Sequence, residues 1–284
     1  MVGPMGIFEA VILGLVQGLT EFLPVSSSAH LRIVGELFPA LGDPGVTFTA
    51  VVQIGTELAV VWYFRQDILR IIRAWLDALP FGPWREREPE DPQDARLGWI
   101  VIIGTIPIVV LGLFLEGAIE SVFRNLYLTA LMLALFAVFL GLADRFSKKR
   151  LTVSDLSLRD GLILGFAQSM ALVPGVSRSG GTITIGLLLG YTREAAARVS
   201  FLLAIPAVLG SGLYRLFSDD GTGPQAGAMA TAVATVVSFI VGYIVIVWFL
   251  KLISTKSYFP FVIYRLLLAA VIVALLTAGV LAPQ

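Results

Sequence analysis

The sequence has no cysteine, a single histidine and few charged residues. Without cysteine there are no disulfides, no thiolate metal site and no cysteine nucleophile. The single histidine, His30, excludes any site that needs two imidazole ligands. Charged residues make up 14% of the 284 positions, against about 25% in typical soluble domains. A soluble protein of this length would need more charge to cover its surface, so the composition predicts an integral membrane protein.

Apolar residues are abundant instead, at 57% of the chain with a mean hydropathy of +0.88. Twenty basic and twenty acidic residues balance, which gives no reason to expect a nucleic-acid partner, and membrane lipids are the expected surroundings. The first apolar run contains Glu9, Gln17 and Glu21 and has no basic residue before Arg32. A secretory signal has a basic start and an unbroken apolar core, so we expect this N-terminal segment to be retained.

Six apolar runs approach the length of about 20 residues that a spanning helix needs. They lie at 48–64, 99–115, 127–143, 199–217, 229–250 and 262–282. Two further segments, 6–38 and 161–189, are each divided by a proline-containing turn into stretches too short to cross a bilayer. The pattern predicts an all-α polytopic membrane protein with six transmembrane helices and two re-entrant helical hairpins.

The two hairpins also match each other at a constant offset of 151 positions. Seven residues are identical to their counterparts: Ile12, Leu13, Gly14, Gln17, Val25, Ser26 and Ser28. We predict a single membrane domain, 1–284, made of repeat one, 6–144, and repeat two, 160–282. Each repeat is a hairpin followed by three crossings, and this odd number makes the second repeat inverted. Inverted repeats place their site near the membrane midplane.

Basic residues collect on one side of this predicted topology. The segment 65–98 carries six of them, while the opposite side has little beyond Arg32, Arg124 and Arg215. Because cytoplasmic loops are enriched in Lys and Arg, 65–98 is predicted to be a cytoplasmic loop. The first hairpin then enters the membrane from outside and the second enters from the cytoplasm.

The turn of the first hairpin gathers polar groups inside an apolar segment: Gln17, Glu21, Ser26, Ser27, Ser28 and His30. Gln17 and Glu21 are four residues apart and share one helix face. The serines follow Pro24 at the start of the next helix, where free N–H groups suit a phosphate. Ionisable groups at membrane depth are functional candidates, although capping by the serines and backbone pairing by Glu21 would be a purely structural alternative.

The turn of the second hairpin places Arg178 where Ser27 stands in the first. A guanidinium can bind a phosphate through two N–H groups, and a structural alternative is that Arg178 only neutralises Glu21. The phosphate-binding candidates of both turns are Ser26, Ser28, Ser177, Arg178, Ser179 and Thr182. Glu57 follows Gln53 by one helical turn, and the sequence leaves open whether it lines a cavity or pairs with a backbone or amide group.

Segments 17–30 and 174–182, with the later Phe261-x-x-Tyr264-Arg265, resemble the signatures of the bacterial undecaprenyl-diphosphatase family, also called bacitracin-resistance proteins. The resemblance implies hydrolysis of undecaprenyl diphosphate to the monophosphate and phosphate, which recycles the lipid carrier for peptidoglycan. It also implies a multi-pass protein of the bacterial plasma (inner) membrane and a divalent cation, Mg²⁺ or Ca²⁺. The count of basic residues, by the positive-inside rule, predicts that the site faces the outside, or periplasm. Many members carry glutamate where this chain has Gln17, so Glu21 is the expected metal ligand and Gln17 a weaker one. The sequence leaves open whether the protein forms a homodimer.

The expected catalytic residues are Glu21, Ser27, His30 and Arg178. Ser27 would attack the terminal phosphorus while Glu21 or His30 accepts its proton, and Arg178 would stabilise charge on the phosphoryl group. Direct attack by water and a phosphohistidine at His30 are competing mechanisms. A transporter or flippase of polyprenyl phosphate is the alternative function, because inverted repeats with paired hairpins are also a transporter plan. The difference between the halves favours an enzyme, since Leu172 stands opposite Glu21 at the repeat offset.

Overall fold

The computed structural model describes residues 5–37, 45–79, 91–120, 122–218 and 227–283. These residues are mainly helical, and the described part of the chain contains no β-strand, only one isolated bridge between Leu151 and Tyr191. The all-α prediction is therefore confirmed. The helices are α1 Ile7–Thr20, α2 Ser27–Leu37, α3 Gly45–Tyr63, α4 Arg65–Asp77, α5 Pro92–Phe114, α6 Glu116–Glu120, α7 Leu126–Phe146, α8 Leu158–Ser169, α9 Arg178–Leu188, α10 Arg193–Ser218, α11 Ala228–Ile253 and α12 Phe259–Thr277.

Within the described residues, five helices are long and apolar enough to cross a membrane: α5, α7, α10, α11 and α12. The sixth candidate is α3 joined to α4, and these two helices are bent by 77° where they meet. The count of five or six spans agrees with the six predicted crossings. The chain is thus an integral membrane protein.

The predicted loop 65–98 differs from the structure at both of its ends. Arg65–Asp77 forms α4, which buries Ile71 and Ala74 at helical spacing, and α5 already begins at Pro92. The Asp91 side chain accepts a hydrogen bond from the N–H of Gln93, which caps α5, and proline suits its first position. The frequent charged residues of this segment hid the amphipathic pattern of α4 from the search for apolar runs in the sequence. Residues 80–90 of the predicted loop lie outside the described residues.

The two hairpins are α1 with α2 and α8 with α9, and each one packs against the other half of the chain. Helix α1 lies on α11, and α8 lies on α5, while α3 packs on α10 and α7 on α12. Glycines permit close approach in the first two of these pairs: a Cβ on Gly14 would lie 2.6 Å from the Ala234 carbonyl oxygen, and one on Gly165 would lie 2.4 Å from that of Gly104. Gly14 and Gly165 are counterparts at the 151 offset. Each of these helix pairs therefore has an equivalent pair when repeat one and repeat two are interchanged. That the second repeat is inverted across a membrane stays a prediction.

Candidate active site

The two hairpin turns have the same backbone conformation at equivalent serines. Ser26 and Ser177 have φ values of 72° and 69°, in the left-handed region that residues with a Cβ seldom adopt. The hydroxyl of each lies 3.1 Å from the hydroxyl two positions on, Ser28 in the first turn and Ser179 in the second. The sequence match at offset 151 thus extends to local structure. Such strain is typical of functional sites, where the surrounding structure holds it in place.

These turns begin α2 at Ser27 and α9 at Arg178, and bring both residues to one carboxylate. The Ser27 hydroxyl donates to Glu21 Oε2 at 2.6 Å, and Arg178 Nη2 donates to Glu21 Oε1 at 2.6 Å. Gln17 Nε2 donates to Oε2 at 2.7 Å, so both carboxylate oxygens are held. Glu21 is only 8% exposed. Three of the four predicted catalytic residues therefore meet at a common point, although Glu21 and Arg178 are far apart in sequence.

A second carboxylate, Glu57, approaches the same guanidinium from α3. Its Oε2 lies 3.7 Å from Arg178 Nη2, and its side chain is fully buried. Among the described residues, neither Glu57 oxygen has a hydrogen-bond partner, and the same holds for Gln17 Oε1. The sequence left open whether Glu57 lines the cavity or pairs with a backbone or amide group. The structure shows neither, because Glu57 is not among the lining residues of the cavity described below and its neighbour is the charged Arg178.

Arg265, on α12, connects the two turns from behind. Its side chain is fully buried. Its guanidinium donates to the carbonyls of Pro24 at 2.9 Å, in the first turn, and Gly175 at 2.8 Å, in the second. It also donates to Val176 at 3.1 Å and to Leu133 of α7 at 3.1 Å. One side chain thus fixes the separation of the turns that carry Ser27 and Arg178.

A cavity of about 650 Å³ lies in front of these groups. Its polar end is lined by Glu21, Ser26, Ser27, Ser28, Ser177 and Arg178. Its walls include Ile108, Val109, Leu113, Leu172, Ala207 and Val208. Arg32, Arg124 and Arg215 also line it. Its volume is typical of ligand pockets, roughly 300–1,000 Å³. Basic and hydroxyl groups at one end and apolar walls beyond them suit an anionic head group on an apolar tail.

Four predicted site residues lie outside the cavity lining: Gln17, which contacts Glu21, and His30, Ser179 and Thr182. His30 has both ring nitrogens engaged, Nδ1 at 2.7 Å from the Ser26 carbonyl and Nε2 at 2.6 Å from the Tyr264 hydroxyl. Ser179 donates to the Leu23 carbonyl at 3.1 Å, which ties the second hairpin to the first. Thr182 donates to the Arg178 carbonyl at 2.9 Å inside its own helix. The structure therefore gives these side chains supporting contacts, while Ser26, Ser28 and Ser177 do line the cavity.

Sequence reasoning passed over several residues that the structure brings to the site. Arg265 was noticed only as part of a resemblance, although an arginine in the middle of an apolar span is itself a signal. Arg32, Arg124 and Arg215 were counted for orientation, as nearly the only basic residues on their side. All three line the cavity. Basic residues are rare on that side of the predicted topology, and this rarity was a signal in the sequence that these arginines have a role at the site.

The residues around Arg178 fit a hard divalent cation. The described residues contain no group of three or more His, Cys, Asp or Glu side chains placed to hold a metal. Mg²⁺, however, is usually held by one or two carboxylates together with substrate phosphates. Glu21 and Glu57 supply carboxylates, and Gln17 Oε1 is a buried oxygen with no donor. The donor set is compatible with Mg²⁺ or Ca²⁺, and a cation at this site stays a prediction.

Comparison with known proteins places this chain in a family. Residues 10–271 match the family described as "Bacitracin resistance protein BacA". The chain is 60% identical over 278 residues to "Undecaprenyl-diphosphatase 2" of Agrobacterium fabrum, covering 98% of each protein. It is 56% identical to the "Undecaprenyl-diphosphatase" of Micrococcus luteus, covering 96% of this chain and 98% of that protein. The corresponding protein of Thermobifida fusca is 55% identical over 99% of this chain and 94% of its own length. The chain belongs to the BacA family of bacitracin resistance proteins.

Proposed function

We propose that this chain is an undecaprenyl-diphosphatase, which hydrolyses undecaprenyl diphosphate to undecaprenyl phosphate and inorganic phosphate. The relatives that match nearly the whole chain carry that name. The activity would recycle the lipid carrier used in peptidoglycan synthesis and lower sensitivity to bacitracin. The 2.6 Å hydrogen bond from the Ser27 hydroxyl to Glu21 is the observation that carries the proposal, because it pairs a nucleophile with a base at the polar end of the cavity.

The first step is attack of Ser27 Oγ on the terminal phosphorus. The new bond joins Oγ to phosphorus, and the bond from that phosphorus to the bridging oxygen breaks, so undecaprenyl phosphate leaves. Glu21 Oε2 accepts the Ser27 proton across the existing hydrogen bond. Glu21 then gives this proton to the bridging oxygen of the departing undecaprenyl phosphate and is a carboxylate again. In the second step Glu21 takes a proton from water, and the resulting hydroxide attacks the phosphorus of phosphoserine. The bond from Oγ to phosphorus breaks, Glu21 returns the proton to Ser27 Oγ, and inorganic phosphate is released. His30 is less well placed for either role, since both of its ring nitrogens are engaged.

The remaining groups stabilise negative charge on the phosphoryl group, which is the main task in phosphoryl transfer. Arg178 lies within hydrogen-bond distance of Glu21 and lines the cavity. The N-termini of α2 and α9 begin at Ser27 and Arg178, and their free N–H groups favour an anion. A divalent cation held by Glu21, with Gln17 as a weaker ligand, would supply further positive charge for the phosphate oxygens.

The cavity supports a site that faces the periplasmic side of the bacterial inner membrane. It includes Gly45 at the start of α3, Glu116 just after α5, Arg124 just before α7 and Arg215 near the end of α10. These helix ends belong to the side of the predicted topology that has few basic residues. Under the positive-inside rule that side is outside the cytoplasm. The apolar walls would hold the first isoprene units of the tail while the rest stays among membrane lipids.

The test is phosphate release from undecaprenyl diphosphate by the purified protein in detergent, with and without a chelator. We expect release in Mg²⁺ or Ca²⁺ and strong inhibition by the chelator. Ser27→Ala should lower turnover by at least about two orders of magnitude, as loss of a reacting group does. Ser254→Ala, at the end of α11 and far from the cavity in sequence and contacts, is the matched control and should behave as wild type.

A polyprenyl-phosphate transporter built on the same repeats makes the opposite prediction. The purified protein would release no phosphate, and liposomes containing it would move the lipid monophosphate between leaflets. The cavity favours the enzyme, because the hydroxyl–carboxylate pair lies on one hairpin and the guanidinium on the other. Transport has no need of this difference between equivalent positions.

A further inference from the structure

Glu57 is the buried acidic group that the proposed mechanism leaves without a defined role. Both of its carboxylate oxygens are buried and lack a hydrogen-bond partner among the described residues. Its nearest charged neighbour is Arg178, at 3.7 Å, and that guanidinium already donates to Glu21 at 2.6 Å. Removing a carboxylate from water costs several kcal/mol per ion unless close charges and hydrogen bonds offset it. One guanidinium shared by two carboxylates leaves an excess of negative charge at this point.

Among the described residues no donor serves Glu57, and a further unpaired oxygen belongs to Gln17, which contacts Glu21. Gln17 turns its amide N–H towards Glu21 at 2.7 Å, which leaves Gln17 Oε1 buried without a donor. Thr56, the neighbour of Glu57 in α3, directs its hydroxyl to the Gln53 carbonyl at 2.9 Å. The carboxylates of Glu21 and Glu57 both approach Arg178 Nη2, and the Gln17 amide that donates to Glu21 carries an unpaired oxygen. Carboxylate and amide oxygens are ligands that hard divalent cations prefer. A cation would supply the positive charge that this arrangement lacks.

We infer that Glu57 is a second acidic ligand of the divalent cation, which it holds together with Glu21 and the amide oxygen of Gln17. The inference rests on the proposed function, because the cation would serve the phosphate oxygens of the substrate. It assigns to α3 a role that the hairpin motifs do not contain. It also explains how an amide is tolerated at position 17, since the second negative charge of the site comes from position 57.

The test measures cation binding without substrate. Mn²⁺ is the probe, because it favours the same carboxylate, carbonyl and water ligands as Mg²⁺ and free Mn²⁺ is quantified by electron paramagnetic resonance. Purified wild-type protein should bind one Mn²⁺ per chain. Glu57→Gln should weaken binding by at least about tenfold, the lower range seen when even an outer-shell partner of a metal is lost. Glu9→Gln, the same change at the start of α1, is the matched control and should bind as wild type.

Thermal melting separates a lost ligand from a damaged fold. Without cation, Glu57→Gln should melt at or above the wild-type temperature, because the change removes a buried charge that lacks hydrogen bonds. Added Mn²⁺ should raise the melting temperature of the wild type far more than that of the variant. Glu57→Met, of similar volume and without charge, is the second variant and should show the same loss of Mn²⁺ binding.

Wild-type affinity for Mn²⁺ in Glu57→Gln and Glu57→Met would overturn the inference, as would a wild-type protein that binds no Mn²⁺. A cation-free melting temperature well below that of the wild type, with Mn²⁺ affinity unchanged, would instead make Glu57 a counter-ion of Arg178. Failure of the proposed function has a different signature, namely wild-type Mn²⁺ binding without phosphate release from the lipid diphosphate.

Discussion

Replacing Arg265 with methionine removes the side chain that joins the two hairpin turns. The guanidinium is fully buried and donates to carbonyls of both turns and of α7. Methionine can fill much of the volume but donates no hydrogen bond. We expect the turns to lose their fixed separation, so that Ser27 and Arg178 no longer meet at Glu21.

The magnitude follows from the hydrogen bonds that are lost. The carbonyls of Pro24, Gly175 and Val176 would each lose this donor, and an unsatisfied buried acceptor costs about 1–3 kcal/mol. Removal of the buried charge returns part of that cost, so we expect a net loss of about 4 kcal/mol. For a chain of this size the melting temperature in detergent should fall by roughly 10 °C.

The assay combines thermal melting with phosphate release at temperatures where the variant stays folded. Arg73→Met, at an exposed position of α4, is the matched control and should change neither quantity. Arg265→Lys keeps the charge but not the planar fork, so it should fall between wild type and Arg265→Met. Two results together would refute this reasoning. The first is that Arg265→Met melts within about 2 °C of the wild type, a shift that corresponds to less than about 1 kcal/mol. The second is that it releases phosphate at the wild-type rate.

Other changes test the site and the packing of the hairpins. Glu21→Ala and Arg178→Ala should each lower turnover by at least about two orders of magnitude, the scale for losing one preorganised group; near-normal phosphate release by Arg178→Ala would remove the guanidinium from the mechanism. Gly165→Ala should lower the melting temperature, because its Cβ would lie 2.4 Å from the Gly104 carbonyl oxygen and overpacking costs about 1–3 kcal/mol. Gly117→Ala, where a Cβ meets nothing within 4 Å, is its control, and equal melting of the two would contradict the close-packing account.

Hydrophobic run length predicted the crossings well because a bilayer demands a minimum length of apolar helix. It failed at α4, where Arg65, Arg70 and Arg73 lie among apolar residues and mask a helix that buries Ile71. The 77° bend between α3 and α4 has no signal in composition, since it depends on how α4 packs against α5.

The internal match at offset 151 predicted more than the pairing of hairpins. Gly14 and Gly165 are both sites of close helix approach, and Ser26 and Ser177 both have positive φ. Sequence identity at these positions reflects constraints of backbone and space, which a repeat preserves. The partner of each hairpin, α11 for α1 and α5 for α8, could not be predicted from the match alone.

At the site, the convergence of Glu21, Ser27 and Arg178 was predictable from chemistry, because buried charges and hydroxyls in a membrane need partners. The position of His30 was not, since its partner Tyr264 comes from α12. The role of Arg265 also depends on three-dimensional packing, because its acceptors are backbone carbonyls of three separate segments. Backbone acceptors leave no residue-type signal in a sequence.

The most direct test of the mechanism is to trap the phosphoenzyme in a single turnover. Purified protein would be mixed with undecaprenyl diphosphate, quenched with denaturant at mildly basic pH within milliseconds to seconds, digested and mapped by mass spectrometry, since these conditions preserve both phosphoserine and phosphohistidine. We predict a phosphate on Ser27 that appears before inorganic phosphate and is absent in Ser27→Ala. Phosphate on His30 instead, or full-rate phosphate release by Ser27→Ala with no adduct in the wild type, would contradict attack by Ser27.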